Sequence, residues 1–273
     1  MRVSLIIPAH NEERRIIKTL DAYYKLFKEK TSEFKRTGLT SEERNKSIKD
    51  FKIIVVANAC KDKTADIVSK FKKDFKEIKL LDFKEGGKGF AVIEGFKEAL
   101  KNNFELIGFI DADMATSPLA FYNLIENLKN YDGIIASRYL KGSLIKPKQP
   151  FVRRVASRVF NFLIRSLFLF NFRDSQCGAK IFKKNVVEKI LPRLNMTQWA
   201  FDIDLLHNVK KCGFRIKESP TLWQDIEGSK INLKKASVQM FLAVFQLRIL
   251  NSSFKRSWRF FKPLAAVLYS LVK

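Results

Sequence analysis

Histidine is nearly absent from this 273-residue chain; His10 and His207 are its only two. A histidine-based nucleophile system is hard to build from so little, and no G-x-S-x-G elbow accompanies them. Cysteine is scarce as well. Cys60, Cys177 and Cys212 are widely spaced, with no C-x-x-C pair. That argues against zinc and for reduced, buried thiols in a cytoplasmic protein. Long apolar runs are missing too: residues 159–172 and 238–250 come nearest, and Arg165 and Arg248 interrupt them. Neither reaches the ~20 residues that a bilayer-spanning helix needs. Met1 leads directly into a strand-like segment, so no signal peptide is expected. The phosphate-binding patterns G-x-x-x-x-G-K-[ST] and G-x-G-x-x-G are absent, and "GGKGF" fits neither.

The most informative shortage is of acid. Residues 133–173 contain no Asp or Glu but nine Lys or Arg, and residues 228–273 repeat that pattern with nine more. The whole chain has a formal net charge of +24, which draws a protein to nucleic acid, anionic membranes or phosphorylated substrates. Both acid-free stretches are rich in Phe, Leu, Ile and Val, whereas basic tails that bind nucleic acid are usually apolar-poor. With no nucleic-acid motif present, an anionic membrane surface is favoured and nucleic acid is not expected.

What is present is a βα alternation. Apolar runs at 3–7, 53–56, 78–81, 106–110 and 133–136 predict strands, and helical spacing covers 12–27, 65–75, 90–100 and 118–128. The polar stretch 28–50 reads as a helix-containing surface insertion. Such alternation implies an α/β fold, a mostly parallel sheet with helices on both faces. Ligands then bind beyond the carboxyl ends of the strands, where "PAHNEE", "NACKDKT", "KEGGKG" and "DAD" all fall. From residue 150 the pattern changes. Residues 150–172 read as a basic amphipathic helix with Arg153, Arg154, Arg158 and Arg165 between apolar positions, or equally as a docking helix with a solvated face. Residues 231–273 repeat the character as a C-terminal amphipathic extension.

The chemistry centres on Asp111 and Asp113, where a buried strand surfaces. Alternate carboxylates there either form a polar turn or hold Mg²⁺ or Mn²⁺, which takes one or two protein carboxylates and completes its shell with diphosphate oxygens and water. Such an ion would neutralise charge on a departing nucleoside diphosphate.

Ordered motifs favour the ion. Pro8, Asn11 and Glu12 form P-x-x-N-E, Asp62 and Thr64 a D-x-T, residues 111–116 "DADMAT", and Ala136, Ser137 and Arg138 an A-S-R. "DSQCGAK" (174–180), "WAFDIDLL" (199–206) and "WQDIEGSK" (223–230) follow in order. In these blocks, which extend from residue 3 to 230, the sequence resembles the inverting nucleotide-sugar glycosyltransferases of GT-A fold. The likeness is greatest to the branch that makes dolichyl-phosphate glucose. The resemblance implies a GT-A domain over 1–230 and transfer of a hexose, glucose from UDP-glucose, to a polyprenyl phosphate. GDP-mannose or another donor, or a hydroxyl acceptor, remain alternatives, as does an inactive scaffold.

The resemblance also implies roles. Pro8, Ala9, Asn11, Glu12, Asn58, Asp62, Lys88 and Ala112 line the nucleotide-sugar pocket with Asp111 and Asp113, and Lys88 reaches the diphosphate. A polyprenyl phosphate needs no general base, since its second pKa is about 6; it needs cations, for which Arg138, Arg153, Arg154, Arg158 and Lys180 are candidates. Gln176, Trp199 and Trp223 shape the acceptor side. Asp202 and Asp204 orient the sugar or basic side chains there, or act as a base. Cys177 and Gly178 let their loop pack closely. Two departures stand out: Ala57 and Asn58 replace the acidic pair that normally reads the base, and C-terminal transmembrane helices are lacking. Membrane contact is therefore expected to be peripheral, on the cytoplasmic face.

Overall fold

A computed structural model describes residues 1–35, 40, 47–147, 151–195, 198, 200–224 and 233–252; within its helices, the side chains of Val152, Arg153 and residues 233–238 fall outside that description. Strand β1 (Arg2–Ala9) is the hub. It pairs in parallel with β2 (Asp50–Asn58) on one side and β4 (Leu106–Phe109) on the other, and β3 (Ile78–Phe83) continues beyond β2. Past β4 lie β7 (Lys180–Lys183), β5 (Gly133–Ser137) and β8 (Ile216–Pro220), giving the order β3-β2-β1-β4-β7-β5-β8. Among the described strands of this sheet, β7 alone runs antiparallel to both its neighbours. A small second sheet pairs β6 (Leu144–Lys146) with β9 (Leu222–Gln224). The expected α/β class, a mostly parallel sheet, is what the chain forms.

Alternation along the strands splits the core. Val3, Leu5, Ile7 and Ala9 of β1 with Ile53 and Val55 of β2 face one side. There they pack under α1 (Ile16–Phe34), α2 (Thr64–Asp74) and α4 (Pro118–Asn127). Ile6, Ile54 and Val56 face the other side. Against them lie α3 (Lys88–Leu100), α6 (Lys184–Ile190) and α7 (Phe201–Lys211). Period-2 burial on both faces is what a sheet covered twice requires.

Helix α1 departs from expectation at both ends. Residues 12–15 form a turn in which Glu12 O accepts from Arg15 N and Ile16 N, each at 2.9 Å, so the helix starts at Ile16. It then continues to Phe34 because Tyr23 and Phe27 stack edge-on and anchor it to Phe121. The segment 28–50 thus begins as the end of this helix, and 36–39 and 41–46 lie outside the described residues.

The basic segment after residue 150 forms α5 (Phe151–Phe168), and α8 (Leu233–Leu250) represents the C-terminal extension, whose remainder from 253 lies outside the described residues. Each packs by one stripe. Ile164 and Phe168 of α5 and Ala243, Val244 and Leu247 of α8 close over Ile203 and Leu206 of α7. The opposite faces expose Phe151, Val155, Val159, Phe162 and Leu163 on α5, and Phe241 and Phe245 on α8. Arg154, Arg158, Arg165 and Arg248 are exposed among them. No helix among the described residues is long and apolar enough to cross a membrane.

Candidate active site

The carboxyl ends of β1, β2 and β4 carry the polar loops to one edge. After β1, Asn11 takes a left-handed φ of 56°, a conformation Asn tolerates, and its Oδ1 accepts from Lys61 N at 2.8 Å. Glu12 N donates to Thr64 Oγ1 at 2.7 Å, and Glu13 N to Asp62 Oδ2 at 3.1 Å. Asp62 also accepts from Thr64 N at 3.0 Å. Burial alone would raise its pKa, but these donors from Thr64 and Glu13 bring it below the usual carboxylate range. Asp62 therefore laces two loops together at the start of α2.

Asn58 is spent in the same way. It is buried; its Nδ2 donates to Ala9 O at 2.9 Å, and its Oδ1 accepts from Gly87 N at 3.0 Å. Gly87, at φ 133°, is where only glycine turns freely, and Lys88 follows as the first residue of α3. Instead of presenting an amide to a base, Asn58 brackets β1, β2 and the loop that delivers Lys88. The buried Pro8 and Ala9 end β1 beside it.

The acidic centre lies at the tip of β4. Asp111 Oδ1 sits 2.8 Å from Lys88 Nζ. Its other side is walled by Gly178, where an added Cβ would come within 1.9 Å of Asp111 Oδ2. Asp113 Oδ1 accepts from Ala115 N at 2.9 Å. Burial and the charge of Asp111 raise the Asp113 pKa. Burial raises that of Glu12 as well, and although Arg15 pulls against it from 2.6 Å, Asp113 and Asp111 add to the rise. The loop between them cannot relax. Thr19 Oγ1 donates to Ala112 O at 2.7 Å, Tyr23 OH to Thr116 O at 2.9 Å and Gln224 N to Ala115 O at 2.8 Å. Neighbouring carboxylates, one of them raised in pKa by burial and by the other's charge, suit a hard divalent cation. Among the described residues no three His, Cys, Asp or Glu converge as a closed cage. The pair would therefore leave most coordination positions to water and ligand oxygens.

Antiparallel β7 brings the second half of the chain to this edge by pairing Lys180 with Phe109. Lys180 is fully buried; its Nζ lies 2.6 Å from Cys177 O and 2.7 Å from Asp202 Oδ1. The other oxygen of Asp202 is 3.4 Å from Lys88. Burial alone would raise the Asp202 pKa, but Lys180 and Lys88 bring it down. Arg138, at the end of β5, is bidentate to the fully buried Asp174, at 2.7 Å from Nε to Oδ2 and 2.9 Å from Nη2 to Oδ1. Its guanidinium lies 5.3 Å from the Trp223 ring centroid and 5.5 Å from that of Tyr139.

Several expected acceptor groups are thus committed to the protein itself. Lys180 is a buried strut and Arg138 is held by Asp174, which the sequence did not single out. Asp202 bridges two lysines. Asp204 faces away, accepting from Asn195 N at 2.7 Å and Asn208 Nδ2 at 2.8 Å. Gln176 is half-buried beside Asp174. Helix α5 adjoins this loop through Asn161 Oδ1, which accepts from Ser175 N at 3.3 Å, and through the Tyr139–Ser157 hydroxyl pair at 2.5 Å. Arg154 and Arg158 are exposed on it. The side chain of Arg153 and the whole of Trp199 lie outside the described residues. Of the three free thiols, Cys177 is buried and its pKa pushed up to about 11 by burial; Cys60 and Cys212 are only half-buried, contrary to expectation.

A mostly parallel sheet with an acidic doublet at its central edge is the framework of a GT-A glycosyltransferase. The sequence profile described as Glycosyl transferase family 2 matches residues 4–191, and the chain belongs to that family. The dolichyl-phosphate beta-glucosyltransferase of Dictyostelium discoideum is 30% identical over 257 residues, covering 90% of this chain and 73% of that protein. Among solved structures, glucosyl-3-phosphoglycerate synthase of Mycobacterium tuberculosis with Mn²⁺, UDP and phosphoglyceric acid aligns with a TM-score of 0.61 at 16% identity, covering 92% of this chain and 80% of that one. The mannosyltransferase PcManGT of Pyrobaculum calidifontis with GDP-Man and Mn²⁺ gives 0.59 at 17%, covering 99% and 69%.

Proposed function

We propose that the enzyme transfers glucose from UDP-glucose to the phosphate of a polyprenyl lipid, inverting the sugar linkage. The observation that carries this reading is the state of the acceptor-side carboxylates. Asp174, Asp202 and Asp204 are each buried and engaged by cations or amide donors. A hydroxyl acceptor needs a base to take its proton, and these groups are poorly placed to serve. A phosphate monoester needs none. The match to a dolichyl-phosphate beta-glucosyltransferase along 90% of the chain supports the same choice.

On this reading Asp111 and Asp113 hold Mg²⁺ or Mn²⁺, which when bound supplies Lewis-acid charge for the leaving diphosphate. Lys88 adds a cation beside it. Glu12, held by Arg15, and the β1 and β2 loops form the nucleotide wall. The acceptor phosphate falls to the arginines of α5, with Arg138 and Trp223 shaping the approach. The exposed Phe, Val and Leu of α5 and α8 rest on the cytoplasmic face of an anionic membrane. Each nearby Lys or Arg contributes on the order of 1 kcal/mol there.

Purified enzyme, radiolabelled UDP-glucose, Mn²⁺ and polyprenyl phosphate should yield organic-extractable label that mild acid releases as glucose. Label from GDP-mannose alone would refute the donor, and none from any nucleotide sugar would refute the lipid acceptor.

A further inference from the structure

Four charges cross the site with alternating sign: Asp111, Lys88, Asp202 and Lys180. They are not equally free. Lys180 is fully buried and tied to Cys177 O, and Asp202 is buried in the first turn of α7. Asp111 is walled by Gly178 and cannot swing away on that side. Lys88 and Asp111 are the partly exposed members, each with about a third of its side chain accessible. Lys88 touches Asp111 at 2.8 Å and Asp202 at 3.4 Å, on a four-carbon stem whose ammonium lies 5.8 Å from the centre of the Phe109 ring. One partly exposed cation therefore links a buried ion pair to a carboxylate of the acidic doublet.

We propose that Lys88 is a placeholder for the divalent cation. In the free protein its ammonium neutralises Asp111; when the donor binds, the diphosphate draws Lys88 off that carboxylate and frees it for the metal. Asp202 is the positioning residue that keeps Lys88 in reach during the exchange. This rests on the cation reading given above. The physical reason is that an ammonium and a divalent ion on one carboxylate repel each other, so they compete. The diphosphate relieves the competition by giving Lys88 a better-charged partner. Metal and nucleotide must then strengthen each other reciprocally. This coupling also keeps the metal weakly held until the donor is present.

The test is Mn²⁺ uptake by the full chain, followed by loss of the aqueous Mn²⁺ paramagnetic resonance signal, with and without UDP. In wild type, UDP should tighten Mn²⁺ binding roughly tenfold or more. In Lys88→Met, Mn²⁺ alone should bind roughly tenfold tighter than to wild type, and UDP should add little. Lys88→Arg keeps the charge and should keep metal-alone binding weak. An unchanged metal-alone affinity in Lys88→Met, with undiminished coupling to UDP, overturns the placeholder while leaving the cation reading intact. Wild type that takes up no Mn²⁺ in either condition removes both. Should Lys88→Met fold poorly, wild-type crystals with UDP and Mg²⁺ decide. Lys88 Nζ on a phosphate oxygen supports the exchange, and Lys88 still paired with Asp111 overturns it.

Discussion

Gly178→Ala isolates one contact. Gly178 does not adopt a positive φ, so alanine there carries no backbone strain of the kind found at Gly87, Gly142 and Gly213. The new methyl would stand 1.9 Å from Asp111 Oδ2, 2.5 Å from Cγ and 3.0 Å from Oδ1. Reaching an ordinary contact of 3.4 Å requires the loop or the carboxylate to shift by about 1.5 Å. The loop has little slack, since Lys180 holds it at Cys177 O and Ala136 N donates to Ala179 O at 3.0 Å, so the displacement falls on the Asp111 carboxylate. Overpacking of this kind costs about 1–3 kcal/mol, so the protein should fold with a modestly lowered Tm. A displacement of about 1 Å in a catalytic group is enough for a ~100-fold loss of rate. The expected outcome is therefore a ~100-fold fall in kcat with weakened Mn²⁺ binding, out of proportion to the loss of stability. Turnover and Mn²⁺ affinity are measured beside thermal unfolding. A variant that keeps wild-type values of both would refute the claim that Gly178 fixes Asp111.

Asp113→Asn should raise the metal-free Tm at pH 7 while abolishing Mn²⁺ uptake. A carboxylate whose folded pKa is raised contributes stability below its unfolded pKa of ~3.9 and loses it as pH rises through the folded value, so at neutral pH the amide removes a penalty; a lower Tm would contradict this. Asp202 has the opposite sign: its pKa is lowered in the fold, so its stabilisation is present above ~3.9 and lost as acid passes the folded value. Asp202→Asn should flatten the acid limb of a Tm-versus-pH curve, and an unaltered limb would count against the Lys88–Asp202–Lys180 bridge. Asp174→Asn leaves Arg138 buried without its charge partner and should cost about 3–5 kcal/mol in urea unfolding; less than ~1 kcal/mol would mean that the pair does not hold this edge together. Phe162→Glu, on an exposed face, should leave Tm unchanged yet weaken sedimentation with anionic vesicles ~10-fold or more, from the ~1.5–3 kcal/mol that a buried Phe contributes.

The first half of the fold was legible because its strands are apolar runs ended by polar loops, and its helices repeat at helical spacing. The loops after β1, β2, β3 and β4 do meet at one edge. The second half was not. β7 is four residues long and opens on a lysine, and β8 buries little, so neither shows a period to read. Lys180 read as a candidate phosphate binder, and lysine is rarely fully buried; its partner Asp202 lies 22 residues on and only the fold brings it near. A lysine inside the apolar "CGAKIF" was the available signal. Asn58 read as a base-reading group because it stands where a carboxylate was expected. Its bracketing role depends on a backbone N–H from Gly87, 29 residues away, which no local pattern discloses. The closeness expected of Gly178 was correct, but that it packs against Asp111 required the antiparallel return through β7.

The central claim is that Asp111 and Asp113 jointly hold the cation beneath the donor's diphosphate. Anomalous scattering at the manganese edge, from crystals grown with UDP-glucose and Mn²⁺, tests it most directly. The account predicts one strong peak bridging these two side chains and the diphosphate. Nucleotide bound with no peak there, or with manganese held elsewhere, would contradict it.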